Sequence, residues 1–297
     1  MKRISILTFL CLGFATIAAI VSQAQTKANS DAPSLLYQVS GKGLAKPSYI
    51  FGTFHAICAT EMVPLESLDI YLDRSDQLMM EIDMDDSVEM QSMGKAIIIP
   101  DGKTLKDFLT PDQFAKVDAM WKNFLGYSVE NVRMVKPSML TVLALTSPKA
   151  IGCKPTTYDL SLMQNAVIKK KPVIGLETVA SQIAVIDSKP IGAQAKELYE
   201  MALDPQKAID ELKKLMAAYK AHDPEKLYDM TKNQTTSDKG FHERLLGDRN
   251  RAWIPKLETA FKERPTFVAV GAGHLGGKNG VIKLLRKKGY RVKPVKL

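Results

Sequence analysis

Short apolar runs lie near both ends of this chain, and between them apolar residues recur at three- and four-residue spacing. The run Thr266 to Val270 is too short for a helix and reads as a buried strand. Glycines come next, with His274 three residues after Gly271, and then the apolar and basic stretch Val281 to Lys288. That order predicts strand, glycine turn, helix. His274 would stand at the carboxyl end of the strand, the edge where open α/β sheets bind ligands. Near the other end, Leu35 to Val39 and Ser48 to Phe51 predict two strands joined by the turn Gly41-Lys42-Gly43. The second strand runs into Gly52-Thr53-Phe54-His55, so a glycine again precedes a histidine by three residues.

The segment Gln77 to Met84 alternates, with Leu78, Met80, Ile82 and Met84 on one face and Met79, Glu81 and Asp83 on the other. Glu81 and Asp83 therefore point the same way near the strand end, and Asp85, Asp86 and Glu89 extend the acidic cluster. Helical spacing marks residues 64–76, 104–147, 159–170 and 193–233, with breaks at Asp204-Pro205 and Asp223-Pro224. Lys171 to Thr178 predicts another short strand, ending in Glu177. That carboxylate either caps the next helix or serves a site. Arg249 precedes a helix carrying Trp253, Ile254, Leu257 and Phe261, and Tyr290 to Val295 predicts a last strand. The simplest arrangement is an α/β fold with a mixed central sheet built from both ends of the chain. A long helical insertion, about residues 101–262, occupies the middle.

The N-terminus stands apart from this pattern. Lys2 and Arg3 precede the apolar stretch Ile4 to Val21, and Ser22-Gln23-Ala24 supplies small residues for cleavage. This predicts a signal peptide over 1–24, a flexible spacer over 25–33, one domain over 34–297, and a secreted or periplasmic protein. An uncleaved anchor helix is the rival reading; beyond it no stretch is apolar enough to span a membrane. Export gives Cys58 and Cys153 a meaning, since an even pair in an oxidising compartment favours a disulfide over two separate thiols. The net charge of +9 comes from the tail: Arg264 to Leu297 holds nine Lys or Arg and no Asp or Glu. Without aromatic interleaving or a nucleic-acid module it reads as the solvated face of a terminal unit, and no nucleic acid is expected as a partner.

Only four histidines occur among the 297 residues, and His55 and His274 share the Gly-x-x-His setting. If their strands are neighbours, the two imidazoles converge with Glu81 or Asp83. Such a set holds Zn²⁺, Mn²⁺ or Co²⁺ with a position open for water, whose pKa the metal lowers. Two alternatives stay open: a metal-free site with a histidine as general base, and histidines that are hydrogen-bonded turn residues. The chain has no H-E-x-x-H, no G-x-S-x-G and no phosphate-cradling loop. Gly271-x-Gly273-x-x-Gly276 matches a dinucleotide fingerprint in form, but it has a histidine inside it and no acidic residue downstream.

The stretches Ile50-Phe51-Gly52-Thr53-Phe54-His55, Met80-Glu81-Ile82-Asp83, Val173 to Thr178 with Gln182, Arg249-Asn250, and Val270 to Gly276 resemble the TraB/GumN family in content and order. The resemblance runs from about Leu35 to Val295. It is a family related to Tiki metalloproteases, erythromycin esterases and a haem-binding lipoprotein. The resemblance implies an α/β fold with a mixed sheet and a hydrolytic site, and with the residue pattern it leads to the expectation of a metal-dependent hydrolase acting on a peptide or protein. His55, His274 and Glu81 would be the metal ligands, Glu177 or Asp83 an assisting ligand or general base, and Arg249 a stabiliser of oxyanion charge. It also leaves open an esterase-like hydrolase without metal and a non-catalytic haem- or protein-binding envelope protein.

Overall fold

The computed structural model describes residues 33–234 and 240–297. Leu36–Ser40 (β1) and Ser48–Thr53 (β2) form the expected hairpin, with the two-residue strand Ile57–Cys58 (β3) after it. Helix Leu65–Asp73 (α1) leads to strand Gln77–Met80 (β4) and helix Ser87–Ala96 (α2). The middle of the chain then supplies helices Pro111–Leu125 (α3), Pro137–Leu145 (α4) and Pro148–Ile151 (α5), strand Pro155–Thr156 (β5), and helix Tyr158–Ile168 (α6). Strand Val173–Gly175 (β6) precedes four helices: Val179–Asp187 (α7), Ile191–Leu203 (α8), Pro205–Lys220 (α9) and Pro224–Gln234 (α10). A π-helical turn, Glu243–Asp248, opens into helix Arg249–Glu263 (α11). Strand Thr266–Gly271 (β7), helix Val281–Lys287 (α12) and strand Arg291–Val295 (β8) complete the chain.

Six strands form one mixed sheet in the order β6-β4-β7-β2-β1-β8. The run β6, β4, β7 and β2 is parallel, and β1 pairs antiparallel with both β2 and β8. The sheet is thus built from both chain ends, as the run pattern predicts. Side chains of β7 alternate between two cores. Phe267 and Ala269 face a cluster with Leu68, Leu162 and Tyr219 from α1, α6 and α9. Val268 and Val270 face a second cluster with Trp253, Leu257 and Leu285 from α11 and α12. With helices on both faces, a parallel sheet is buried throughout.

The helical middle keeps a core of its own, with Trp121, Leu140 and Leu198 drawn from α3, α4 and α8. The insertion expected over 101–262 contains the strand expected after Lys171 and one more. Its strand β6 pairs with β4 in the main sheet, and its β5 makes a two-stranded ribbon with β3. Beside that ribbon Cys58 and Cys153 form the expected disulfide. The strand expected over Gln77–Met84 stops at Met80, and all four of its residues are buried. The alternation across residues 77–80 therefore separated two cores rather than core from water.

Residues 1–32, which include the expected signal peptide and nearly all of the spacer, lie outside the described residues. Among the described residues no helix is long and apolar enough to cross a membrane.

Candidate functional site

Register brings the two glycine–histidine motifs together. In the parallel pair β2–β7, Gly52 lies opposite Val270 and Thr53 opposite Gly271. The two segments leave the sheet side by side and at the same edge. Gly52 is required by the close approach of the turn after β7: a Cβ there would stand 2.8 Å from Leu275 Cδ1 and 3.0 Å from Ala272 Cα. The turn of the second motif packs onto the glycine of the first. On the other side of β7, Glu81 comes directly after β4, and its Oε1 accepts the Gly271 N–H at 2.7 Å.

Gly271 marks the point of convergence. A Cβ built on it would lie 3.2 Å from Glu81 Oε1, 3.6 Å from His55 Nε2 and 3.8 Å from His274 Cδ2. The three side chains named from the sequence thus surround one spot.

Their environments differ sharply. The His274 side chain is 5% exposed, and its Nδ1 lies 2.6 Å from Asn250 Oδ1. Asn250 donates its own amide hydrogens to the His274 and Asn279 carbonyls, which turns its oxygen toward the ring. Arg249 Nη1 donates to His274 Nε2 at 3.1 Å, so the ring is neutral with its proton on Nδ1. Burial, aided by the positive charge of Arg249, holds the His274 pKa down to about 3, although the nearby Glu81 charge works the other way. Trp253 packs against this ring with centroids 4.5 Å apart.

His55 is open to solvent, with 69% of its side chain exposed. Its Nδ1 lies 3.2 Å from Asp159 Oδ2, and Asp159 also accepts from Thr53 at 3.1 Å and Thr157 at 3.0 Å. The Asp159 hydrogen bond pushes the His55 pKa up, to about 9, while desolvation opposes it. Water at the open face screens part of that attraction. Asp159 and Asn250 orient one imidazole each. The sequence showed Asp159 only as the start of a helix and Asn250 only as the neighbour of Arg249.

Arg249 holds the centre together. Its Nε donates to Glu177 Oε1 at 2.9 Å, Nη2 donates to Glu81 Oε2 at 2.6 Å and again to Glu177, and Nη1 serves His274 and the Leu245 carbonyl. All five N–H donors are committed, which leaves none for the oxyanion role expected of this residue. The π-helical turn just before it is a feature frequent at functional sites. Gln182 adds bonds of 3.0 Å to Glu81 Oε2 and 3.3 Å to Glu177 Oε1. Glu177 is therefore a member of the buried network, while Thr178 caps α7. Burial opposes the Glu81 charge, but His274, once acid protonates it, together with Arg249, His55 and the Gly271 N–H, overcomes it and holds the Glu81 pKa at about 2.

Asp83 departs from expectation. Its Oδ1 accepts the Asp85 N–H at 3.0 Å, closing a turn after β4, and it does not line the cavity below His55. Beyond Met80 the chain bends, so the alternation that placed Asp83 beside Glu81 no longer applies.

Two imidazoles and a carboxylate are the right kinds of donor for a divalent ion. As arranged they do not fit one, because His274 Nε2 and Glu81 Oε2 already bind the Arg249 guanidinium. Among the described residues no group of three or more His, Cys, Asp or Glu side chains is set to hold a metal. A cavity of about 230 Å³ opens over His55, Glu81, Thr157, Asp159 and Gln182.

Fold and site together define an α/β protein with a polar centre at the carboxyl edge of parallel strands. The chain belongs to the TraB/PrgY/gumN family, whose profile matches residues 35–294. Metalloprotease TIKI2 of Xenopus tropicalis is 25% identical over 322 aligned residues, covering 90% of this chain and 60% of its own length. Metalloprotease TIKI1 of Homo sapiens is 24% identical over 302, covering 83% and 59%. The uncharacterized protein YbaP of Escherichia coli is 32% identical over 146 residues, covering 49% of this chain and 54% of that protein. The chain thus spans about 60% of the TIKI relatives it matches. No solved structure matches it.

Proposed function

We propose that this protein is a secreted or periplasmic hydrolase of the peptidase kind, with His55 as its general acid–base. The observation that carries this reading is the convergence of His55, Glu81 and His274 on Gly271 while only His55 keeps a ring nitrogen unengaged. Asp159 fixes the His55 ring and stabilises its protonated form, as a carboxylate behind a catalytic imidazole does. His55 Nε2 takes a proton from water as the water oxygen adds to the peptide carbonyl carbon. It returns that proton to the nitrogen as the C–N bond breaks, giving a carboxylic acid and an amine. Glu81, locked as a carboxylate, favours the imidazolium formed in between. Arg249 is a positioning residue for Glu81 and His274. The Cys58–Cys153 disulfide supports an oxidising compartment.

The names of the TIKI relatives support a second reading, in which Mn²⁺, Co²⁺ or Zn²⁺ is bound by His55, His274 and Glu81. It requires His274 and Glu81 to give up their Arg249 contacts. Hydrolysis of a peptide library by the mature protein, with and without each ion and a strong chelator, tests both. Turnover that survives chelation and falls ~10²–10⁴-fold in His55→Ala supports the acid–base reading. Turnover that needs added ion, with metal bound to wild type and not to the His55→Ala, His274→Ala double variant, supports the other. No hydrolysis under any condition would sink both.

A further inference from the structure

The cavity beside His55 is lined by both polar and apolar side chains, and the acid–base chemistry uses only the polar ones. The apolar lining is made by Met80, Ile82, Met84, Met90 and Met93. Four methionines out of the chain's 14 on one small cavity is a concentration that sheet packing does not require. Met80 is fully buried and belongs to the sheet core. Met84, Met90 and Met93 are only half-buried.

Two of these come from one helix face. Met90 and Met93 are three apart on α2, so both project from the same side. That side packs on α7 in a small cluster with Ile82, Val179 and Ile183, separate from the sheet cores. Asp86 caps α2, accepting from Val88 N at 2.7 Å, and Glu89 Oε2 accepts the Val179 N–H at 2.7 Å. The helix is therefore fixed at its first turn, and its methionines are held over the cavity.

Size and chemistry name the occupant. A volume of about 230 Å³ is below the ~300–1,000 Å³ that encloses a whole small ligand, and it suits one side chain with its adjoining amide. Methionine is unbranched and polarisable, so such a wall adapts to apolar side chains of differing shape. The same cavity is lined by the carboxylates of Glu81 and Asp159, which repel an acidic side chain.

Resting on the hydrolase reading, we infer that Met84, Met90 and Met93 form a specificity wall for a large apolar residue next to the bond that is cut. Leucine, methionine and phenylalanine belong to that class, whereas aspartate and glutamate are rejected. Discrimination between a large apolar residue and alanine is expected to be at least about 10–200-fold in kcat/KM, the effect of a single methylene in an apolar pocket.

Two measurements on the whole mature protein test this. With ¹³C-methyl methionine labelling, N-acetyl-leucinamide is expected to shift the methyl signals of Met84, Met90 and Met93, assigned by single Met→Leu variants. N-acetyl-aspartate amide is expected to leave them in place. In the peptide library, Met90→Gln with Met93→Gln is expected to raise KM for apolar residues at least tenfold and to spare kcat. Methyl shifts without turnover would uphold the wall and sink the hydrolase reading. Turnover with no apolar preference, or equal shifts from both amides, would overturn the wall and leave the hydrolase reading standing.

Discussion

His55 and His274 each end a Gly-x-x-His motif at the mouth of neighbouring parallel strands, and their surroundings oppose one another. His55 has 69% of its side chain exposed, an aspartate behind it and a raised pKa. His274 has 5% exposed, an asparagine behind it, an arginine in front and a lowered pKa. One motif thus yields a solvent-facing ring with an unengaged nitrogen and a buried ring kept neutral as part of a scaffold. The partner on Nδ1 and the access of water decide the difference, not the motif.

Removing the scaffold cation is the strongest way to break this contrast. Arg249→Met leaves Glu81 and Glu177 buried without their counter-ion, and stability in urea is expected to fall by ~3–5 kcal/mol. His55→Ala, on the open side where water screens the Asp159 pair, is expected to cost no more than ~1 kcal/mol. Equal losses in the two variants would erase the distinction.

The His55 half has its own staple. Cys58 lies three residues after His55, and Cys153 six before Asp159. Replacing both by serine opens a loop of 95 residues and is expected to cost ~2–4 kcal/mol. Activity should suffer beyond the stability loss, because the His55–Asp159 pair loosens. Unchanged thermal unfolding would deny the disulfide any such role.

Gly52 couples the halves. Gly52→Ala drives a methyl to within 2.8 Å of Leu275 Cδ1, at an overpacking cost of ~1–3 kcal/mol. A crystal structure of that variant is expected to show the His274 turn displaced and His55 in place.

Acid acts on the buried half. The folded pKa of His274 is near 3 against an ordinary 6.5, so below pH 6.5 the unfolded chain binds a proton that the folded one does not. Stability therefore falls as pH drops from 6.5 towards 3. Glu81, held at about 2 against 4.5, adds to the fall below pH 4.5. His274→Gln is expected to flatten the upper part of this slope in urea titrations and to weaken the lower part without abolishing it, because Arg249, His55 and the Gly271 N–H still hold the Glu81 pKa down.

The smallest effect sharpens the open half. With its pKa raised, His55 gains its neutral form only as pH rises above the ordinary 6.5, so kcat/KM is expected to climb through neutral into alkaline pH. Asp159→Asn removes the main cause and moves that limb to lower pH. A limb that stays put would detach Asp159 from His55.

Part of this was legible from residues alone. Apolar runs and glycine turns identified β1, β2, β7 and β8, and two Gly-x-x-His motifs pointed to His55 and His274. Glu81 and Glu177 were recognisable as carboxylates at strand ends, and Cys58 and Cys153 as a pair. These features are local, set by side-chain period and turn chemistry, so a single stretch of sequence carries them.

Tertiary structure decided the rest. Asp159 looks like any helix-opening acid until β5 and the disulfide deliver it to His55. Arg249 looks free to meet substrate until two carboxylates, a carbonyl and an imidazole consume its donors. Asp83 was set beside Glu81 by an alternation that ends where β4 bends away. Burial and hydrogen-bond partners depend on segments far apart in the chain, as with Glu81 and Arg249, which are 168 residues apart. The spacing of the motifs fixed which histidines to watch; packing fixed that one is open, the other sealed.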